Sequence, residues 1–189
     1  MRPAPLLIAV LVLWGLSGLA VLFADVPMLA WQSTGIGLVL FATLDALFLR
    51  RRETPQVTRE IPEALPLGIE RDVTLRVESM TRQRIDVFDL HPGEWPAQGL
   101  PQRLKLAPAT ASTFSYRLRP VARGNAIFEG VQLRLASPLR LWRQSRIAGA
   151  PQRVRVYPDF APLTRFALFS AEQASRLVGA HLKRRRGEG

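Results

Sequence analysis

The chain reads as an all-β, immunoglobulin-like sandwich carried behind a two-helix transmembrane hairpin and followed by a C-terminal amphipathic helix. Three observations predict this. The first 49 of the 189 residues are almost uncharged, and Arg50-Arg51-Arg52 closes them. From Gln56 to Asp159, short runs of alternating apolar and polar residues are separated by proline and glycine. After Pro162 the apolar spacing becomes helical and ends in Lys183-Arg184-Arg185-Arg186. Residues 1–52 are therefore assigned to the hairpin, 53–160 to the sandwich, and 161–189 to the helix and basic tail.

The first span covers about residues 5–24, and Pro5 to Ala24 carries no charge. About 20 apolar residues suffice to cross about 30 Å of hydrocarbon. Asp25-Val26-Pro27 interrupts the run, because proline disfavours helix for the residue before it. The second span covers about residues 28–49; it is more polar at its start (Gln32, Ser33, Thr34) and contains Asp45. Trp14 is mid-span, whereas Trp31 is near the turn, at a depth that suits an interfacial indole. A cleaved signal peptide fits the first segment less well. Its basic region is Arg2 alone, its apolar run is long, and a second run follows at once. Arginines stay on the cytoplasmic side, so Arg50, Arg51 and Arg52 place the turn outside and the sandwich in the cytoplasm.

Asp45 precedes Arg50 by five residues, about 7.5 Å at helical rise. Three roles fit it: an interfacial carboxylate beside the arginines, a polar contact between the two spans, or a functional proton or partner site.

Net charge is +11, and all but one of the 26 lysines and arginines follow residue 49. A basic domain beside a membrane suits anionic lipid, an acidic protein surface or nucleic acid. No cysteine is present, which excludes a disulfide framework, thiolate chemistry and a zinc–cysteine site.

Strand periodicity is clearest where Val73, Leu75 and Val77 alternate with Thr74, Arg76 and Glu78. It recurs at Phe114, Tyr116 and Leu118, at Val131, Leu133 and Leu135, and at Val154 and Val156. One face of each is apolar and the other polar. Weaker strands fit Ile85–Leu90, Arg103–Ala107 and Leu141–Ile147. Pro92-Gly93, Pro108, Arg123-Gly124-Asn125, Ser137-Pro138 and Gly149-Ala150-Pro151 read as turns. Seven or eight strands without intervening helices give an antiparallel sandwich around one modest core. A small barrel satisfies the same pattern.

The polar strand faces carry Arg76, Arg117, Arg119, Arg134, Arg153 and Arg155. Such residues serve as solvated covers of apolar surface, or as docking groups for lipid or an acidic partner. Nucleic acid fits least, because no aromatic residues interleave with them to stack bases. In the tail, Ser170 and Gln173 resemble a capping box. Ala171, Ala174, Leu177, Val178, His181 and Leu182 share one helix face. Asp45, Arg117, Arg119, Arg134 and Leu177 are the candidate interaction residues.

The sequence contains no phosphate loop, no H-E-x-x-H and no G-x-S-x-G. Asp86 and Asp89 are three apart on a strand and so face opposite ways, which argues against a shared cation. The expectation is a non-enzymatic protein without cofactor or metal.

Arg123-Gly124, Val131-Gln132-Leu133, Ser137-Pro138-Leu139-Arg140-Leu141-Trp142 and Val156-Tyr157-Pro158-Asp159 occur in an order that resembles the N-terminal half of the domain-of-unknown-function 58 family. The resemblance runs from the hairpin to Glu188. It implies two adjacent spans, a β-sandwich and work alongside MoxR-type AAA+ ATPases in the bacterial inner membrane. It also implies a further domain similar to von Willebrand factor type A, for which the continuation would begin near Arg186-Gly187-Glu188-Gly189. Ala126 stands where the family has an aromatic residue, Ser137 where it often has aspartate, and Arg140 where it has glycine. Glycine there signals positive φ, so arginine predicts a differently shaped turn.

The combined expectation is a multi-pass, membrane-anchored, non-catalytic interaction protein that presents a basic cytoplasmic sandwich to a protein partner, an AAA+ ATPase. The alternative is a surface module that binds anionic lipid.

Overall fold

A computed structural model describes residues 1–23 and 27–158. Leu177, the capping box and the rest of the tail helix lie outside the described residues. In chain order the elements are β1 (Arg2–Pro3), α1 (Pro5–Phe23), α2 (Met28–Arg51), β2 (Gln56–Glu60), β3 (Ala64–Pro66), β4 (Arg71–Ser79) and β5 (Gln83–Asp89). Then come β6 (Ala97–Gln98), β7 (Gln102–Leu106), β8 (Thr110–Leu118), β9 (Gly124–Phe128), β10 (Val131–Ala136), β11 (Trp142–Ala148) and β12 (Gln152–Tyr157).

α2 is long and apolar enough to cross a membrane. α1 and α2 run antiparallel, since Trp14 meets Gly35 while Gly18 meets Trp31. The Trp14 and Trp31 rings stack with centroids 4.3 Å apart. Each indole N–H also reaches the other residue's carbonyl: Trp31 Nε1 donates to Trp14 O at 3.3 Å and Trp14 Nε1 to Trp31 O at 3.5 Å. Trp31 is therefore engaged with the other helix. Gly18 and Gly35 supply the room, because a Cβ at either would collide with the facing indole.

Three sheets form the β-rich, sandwich-like domain. Their strand orders are β1-β11-β10-β5-β7, β2-β4-β8-β6 and β3-β12-β9. Pairing is antiparallel except between β3 and β12. The predicted alternation holds: Val73, Leu75, Val77, Leu133, Leu135, Val154 and Val156 are buried in one shared core. The weak runs are strands as well, shifted by a residue or two. Gly124-Asn125, read as part of a turn, opens β9 instead. Gly124 has φ 107°, a conformation glycine adopts without Cβ strain.

Candidate functional site

The candidate site is the joint between α2 and the link from β10 to β11. On α2, Gly35, Ala42, Asp45 and Leu49 are buried, at spacings of seven, three and four that put them on one helical stripe. The stripe that a single span would turn to lipid is here turned toward protein. Leu49 is fully buried in the sandwich core, and burying a leucine stabilises by about 2 kcal/mol.

Asp45 is 3% exposed. Its carboxylate accepts the backbone N–H of Leu139 at 3.0 Å and that of Leu141 at 3.3 Å. It neither bridges α1 and α2 nor pairs with the arginine cluster; it satisfies backbone donors of the 137–142 link. Ser137, also buried, accepts the Trp142 N–H on its Oγ at 2.9 Å. The Trp142 indole Nε1 donates to Ala42 O at 2.8 Å.

Arg140 has φ 60°. Arg140 therefore occupies the left-handed region that glycine adopts freely. The closed hydrogen bonds at Asp45 and Ser137, with Arg140 N–H donating to Ser137 O at 3.0 Å, hold the conformation against the Cβ penalty.

Arg146 completes the joint at the C-terminal end of α2. Its Nη2 donates to Leu49 O at 2.9 Å and Arg50 O at 3.2 Å, and its Nη1 to Arg52 O and Thr54 Oγ1. A helix ends with unpaired carbonyls and a partial negative charge; one guanidinium meets both. Arg50 and Arg51 are exposed. Arg52 turns into the joint, its Nη1 donating to Ala136 O at 3.1 Å. The N-terminal side is fastened to the same strand: β1 pairs with β11 at Arg2–Arg143 and Pro3–Trp142, and Ala4 N–H donates to Leu141 O at 2.8 Å.

The other predicted interaction residues do not converge. Arg117 lies on β8 and faces Glu70 at 3.9 Å. Arg119 donates to Gly68 O at 2.8 Å. Arg134 lies on β10, in a different sheet. Arg76 pairs with Glu78 at 2.7 Å, and Arg153 and Arg155 belong to β12.

A second polar centre, unforeseen from the sequence, sits inside the sandwich. Asp89 on β5 is fully buried; Arg59 on β2 donates its Nε to it at 2.9 Å, and the Tyr116 hydroxyl on β8 at 2.6 Å. Arg59 also reaches Gly130 O at 3.0 Å and lies over the Phe128 ring at 4.9 Å. Burial, with Asp89 beside it, pushes the Tyr116 phenol well above its ordinary range, against a smaller opposing pull from Arg59. The signal was present: Arg59 shares the inward parity of Val57. Asp89 is thus neutralised by arginine, while Asp86 points outward to Arg103.

No family model matches this chain, and no curated protein matches it. Among solved structures it is similar to a FixG-related protein from Vibrio parahaemolyticus. The identity is 14% and the TM-score 0.35, over 55% of this chain and 94% of that one. It is also similar to two variants of the superoxide reductase (neelaredoxin) from Ignicoccus hospitalis. One has 14% identity and TM-score 0.30 over 58% of this chain and 86% of that one; the other has 15% and 0.28 over 57% and 91%. Likeness at this level assigns no activity.

Proposed function

We propose that the chain is a membrane-anchored, non-catalytic interaction protein. α1 and α2 form a two-span anchor in the bacterial inner membrane and hold an immunoglobulin-like sandwich at its cytoplasmic surface for a protein partner. The observation that carries this reading is the joint. A protein that only needed tethering could use a flexible linker after Arg52. Here Leu49 enters the core, Asp45 caps the 137–142 link and Arg146 caps the helix end. The sandwich is held at one angle to the anchor, which serves presentation of a defined surface.

The partner is inferred from the order of the sequence motifs alone: a MoxR-type AAA+ ATPase. Affinity capture with the full chain in detergent tests it. The ATPase is retained by the wild-type chain, and Arg146→Gln, which loosens the joint, weakens retention; failure to retain it removes the ATPase from the proposal. Topology is tested separately by fusing alkaline phosphatase after Gly189. An inactive enzyme fits the cytoplasmic assignment, and an active one reverses it.

A further inference from the structure

The joint explains how the link from residue 137 to 142 is held, but not the side chains it exposes. We propose that this link, with Arg84, Arg134 and Arg143, forms a headgroup site for anionic phospholipid at the membrane surface. The proposal rests on the membrane-anchored reading above, because α1 and α2 set the level of the bilayer.

Both helices give the same level. α1 has 19 residues, about 28 Å at 1.5 Å per residue, close to the thickness of the hydrocarbon. Its start is tied to the link, where Ala4 N–H meets Leu141 O. α2 from residue 28 to Asp45 covers about 27 Å, and Asp45 holds Leu139 and Leu141. The bilayer boundary therefore runs through Leu139–Leu141.

Exposure agrees with that depth. Phe41, Leu44, Phe48 and Leu139 are 64%, 51%, 63% and 53% exposed. With Pro138 and the buried Asp45, whose carboxylate is taken up by the link, they line one cleft of about 380 Å³. Acyl chains cover such a surface at no cost in polar desolvation, whereas water leaves it bare.

Beside this apolar tip, Arg84 of β5, Arg103 of β7, Arg134 of β10, Arg143 of β11 and Arg140 of the link line a cleft of about 340 Å³. Asp86 is its one carboxylate, and Arg103 holds it at 3.0 Å. The other four guanidiniums have no ion-pair partner among the described residues. Clustered arginines match phosphate geometry bidentately. Arg140 carries its charge at φ 60°, a conformational cost that a phosphate contact offsets. Free phosphate shares this chemistry, but the adjoining apolar tip selects a phosphate that carries acyl chains.

The test uses the full chain reconstituted in vesicles, with spin-labelled phosphatidylglycerol or phosphatidylcholine as probe. The measured quantity is the motionally restricted lipid fraction. The wild-type chain enriches phosphatidylglycerol over phosphatidylcholine. Arg134→Gln with Arg143→Gln reduces the enrichment, by up to about fivefold per charge. Arg140→Gly also reduces it, and this variant relieves backbone strain, so a folding defect does not mimic the result. Arg153→Gln, on β12, leaves it unchanged. Equal association of both lipids with the wild-type chain, or undiminished enrichment in the double variant, overturns the site. Displacement of the labelled lipid by soluble glycerol phosphate reassigns it to free phosphate and overturns the lipid commitment. Washing with alkaline carbonate separates the two readings. A chain released by it loses the anchor and this site together; a retained chain without lipid selectivity loses only this site.

Discussion

Asp45 of α2 and Leu139 of the β10–β11 link are 94 residues apart in sequence, yet the carboxylate accepts the Leu139 backbone N–H at 3.0 Å. One acidic group in an apolar helix thereby satisfies the orphan donors of a turn that belongs to another domain. Its presence in the helix answers that demand: a buried N–H without a partner costs about 1–3 kcal/mol.

Replacing Asp45 with alanine leaves the Leu139 and Leu141 donors unpaired. The expected loss is about 2 kcal/mol of stability, read from thermal unfolding in detergent, with faster proteolysis around residues 137–142. Asp45→Asn keeps one acceptor and loses less. An unchanged melting temperature in Asp45→Ala would show that the joint is not held by this carboxylate.

Arg146→Gln removes the guanidinium from the carbonyls of Leu49, Arg50 and Arg52. Charge-assisted bonds of this kind contribute about 1.5–3 kcal/mol. Hydrogen exchange in the last turn of α2 should rise while exchange in β4 stays slow. Equal protection at both places contradicts the capping role.

Gly35→Val pushes a branched side chain into the Trp14 ring. The stacked indole pair, worth about 0.5–1.5 kcal/mol, should separate. Near-ultraviolet circular dichroism reports it, because the signal of two coupled indoles falls toward that of isolated ones. A spectrum identical to wild type argues that the helices pack another way.

Tyr116 stays neutral in the fold, its hydroxyl donating to buried Asp89. A phenol with a raised folded-state pKa contributes stability that is complete below its unfolded value near 10 and declines above it. The sandwich should therefore lose up to about 1.4 kcal/mol per pH unit above pH 10 through this group. In a Tyr157→Phe background, where Tyr116 is the sole tyrosine, absorbance of phenolate should appear only as the protein unfolds. Phenolate appearing near pH 10 in the folded protein refutes the buried hydrogen bond.

Arg140→Gly replaces a left-handed non-glycine residue. Relief of the Cβ contact should raise stability by about 1 kcal/mol, measured by denaturant unfolding. A destabilised variant would mean that the Arg140 side chain holds the link together.

Much of the architecture was legible. Val73, Leu75 and Val77 announce a strand by parity alone, and the two apolar runs announce two helices to within two residues. Strands β1, β2, β3, β6 and β9 escaped: all have five residues or fewer, Pro55, Pro62 and Pro96 border β2, β3 and β6, and β9 opens on Gly124-Asn125, so local pattern carries little signal. The site was legible only in part. Asp45 stood out as a carboxylate in an apolar run, but its partners lie almost a hundred residues away. Arg59 and Arg146 occupy inward strand positions, and a periodicity count treats a charge there as noise. Each becomes meaningful only beside Asp89 or beside the end of α2. Leu177, named as a candidate interaction residue, lies outside the described residues.

Local rules thus determined helix against strand, the apolar length of the N-terminal runs and the basic character of the β-rich domain behind them. They act through backbone periodicity and transfer free energy, which each segment carries by itself. Tertiary structure alone decided that Leu49 of α2 enters the sandwich core, that Asp45 and Arg146 clamp the helix, and that four arginines without an ion-pair partner among the described residues gather beside an apolar tip. Those outcomes depend on hydrogen bonds and charges brought together across long loops, whose closure no local pattern encodes.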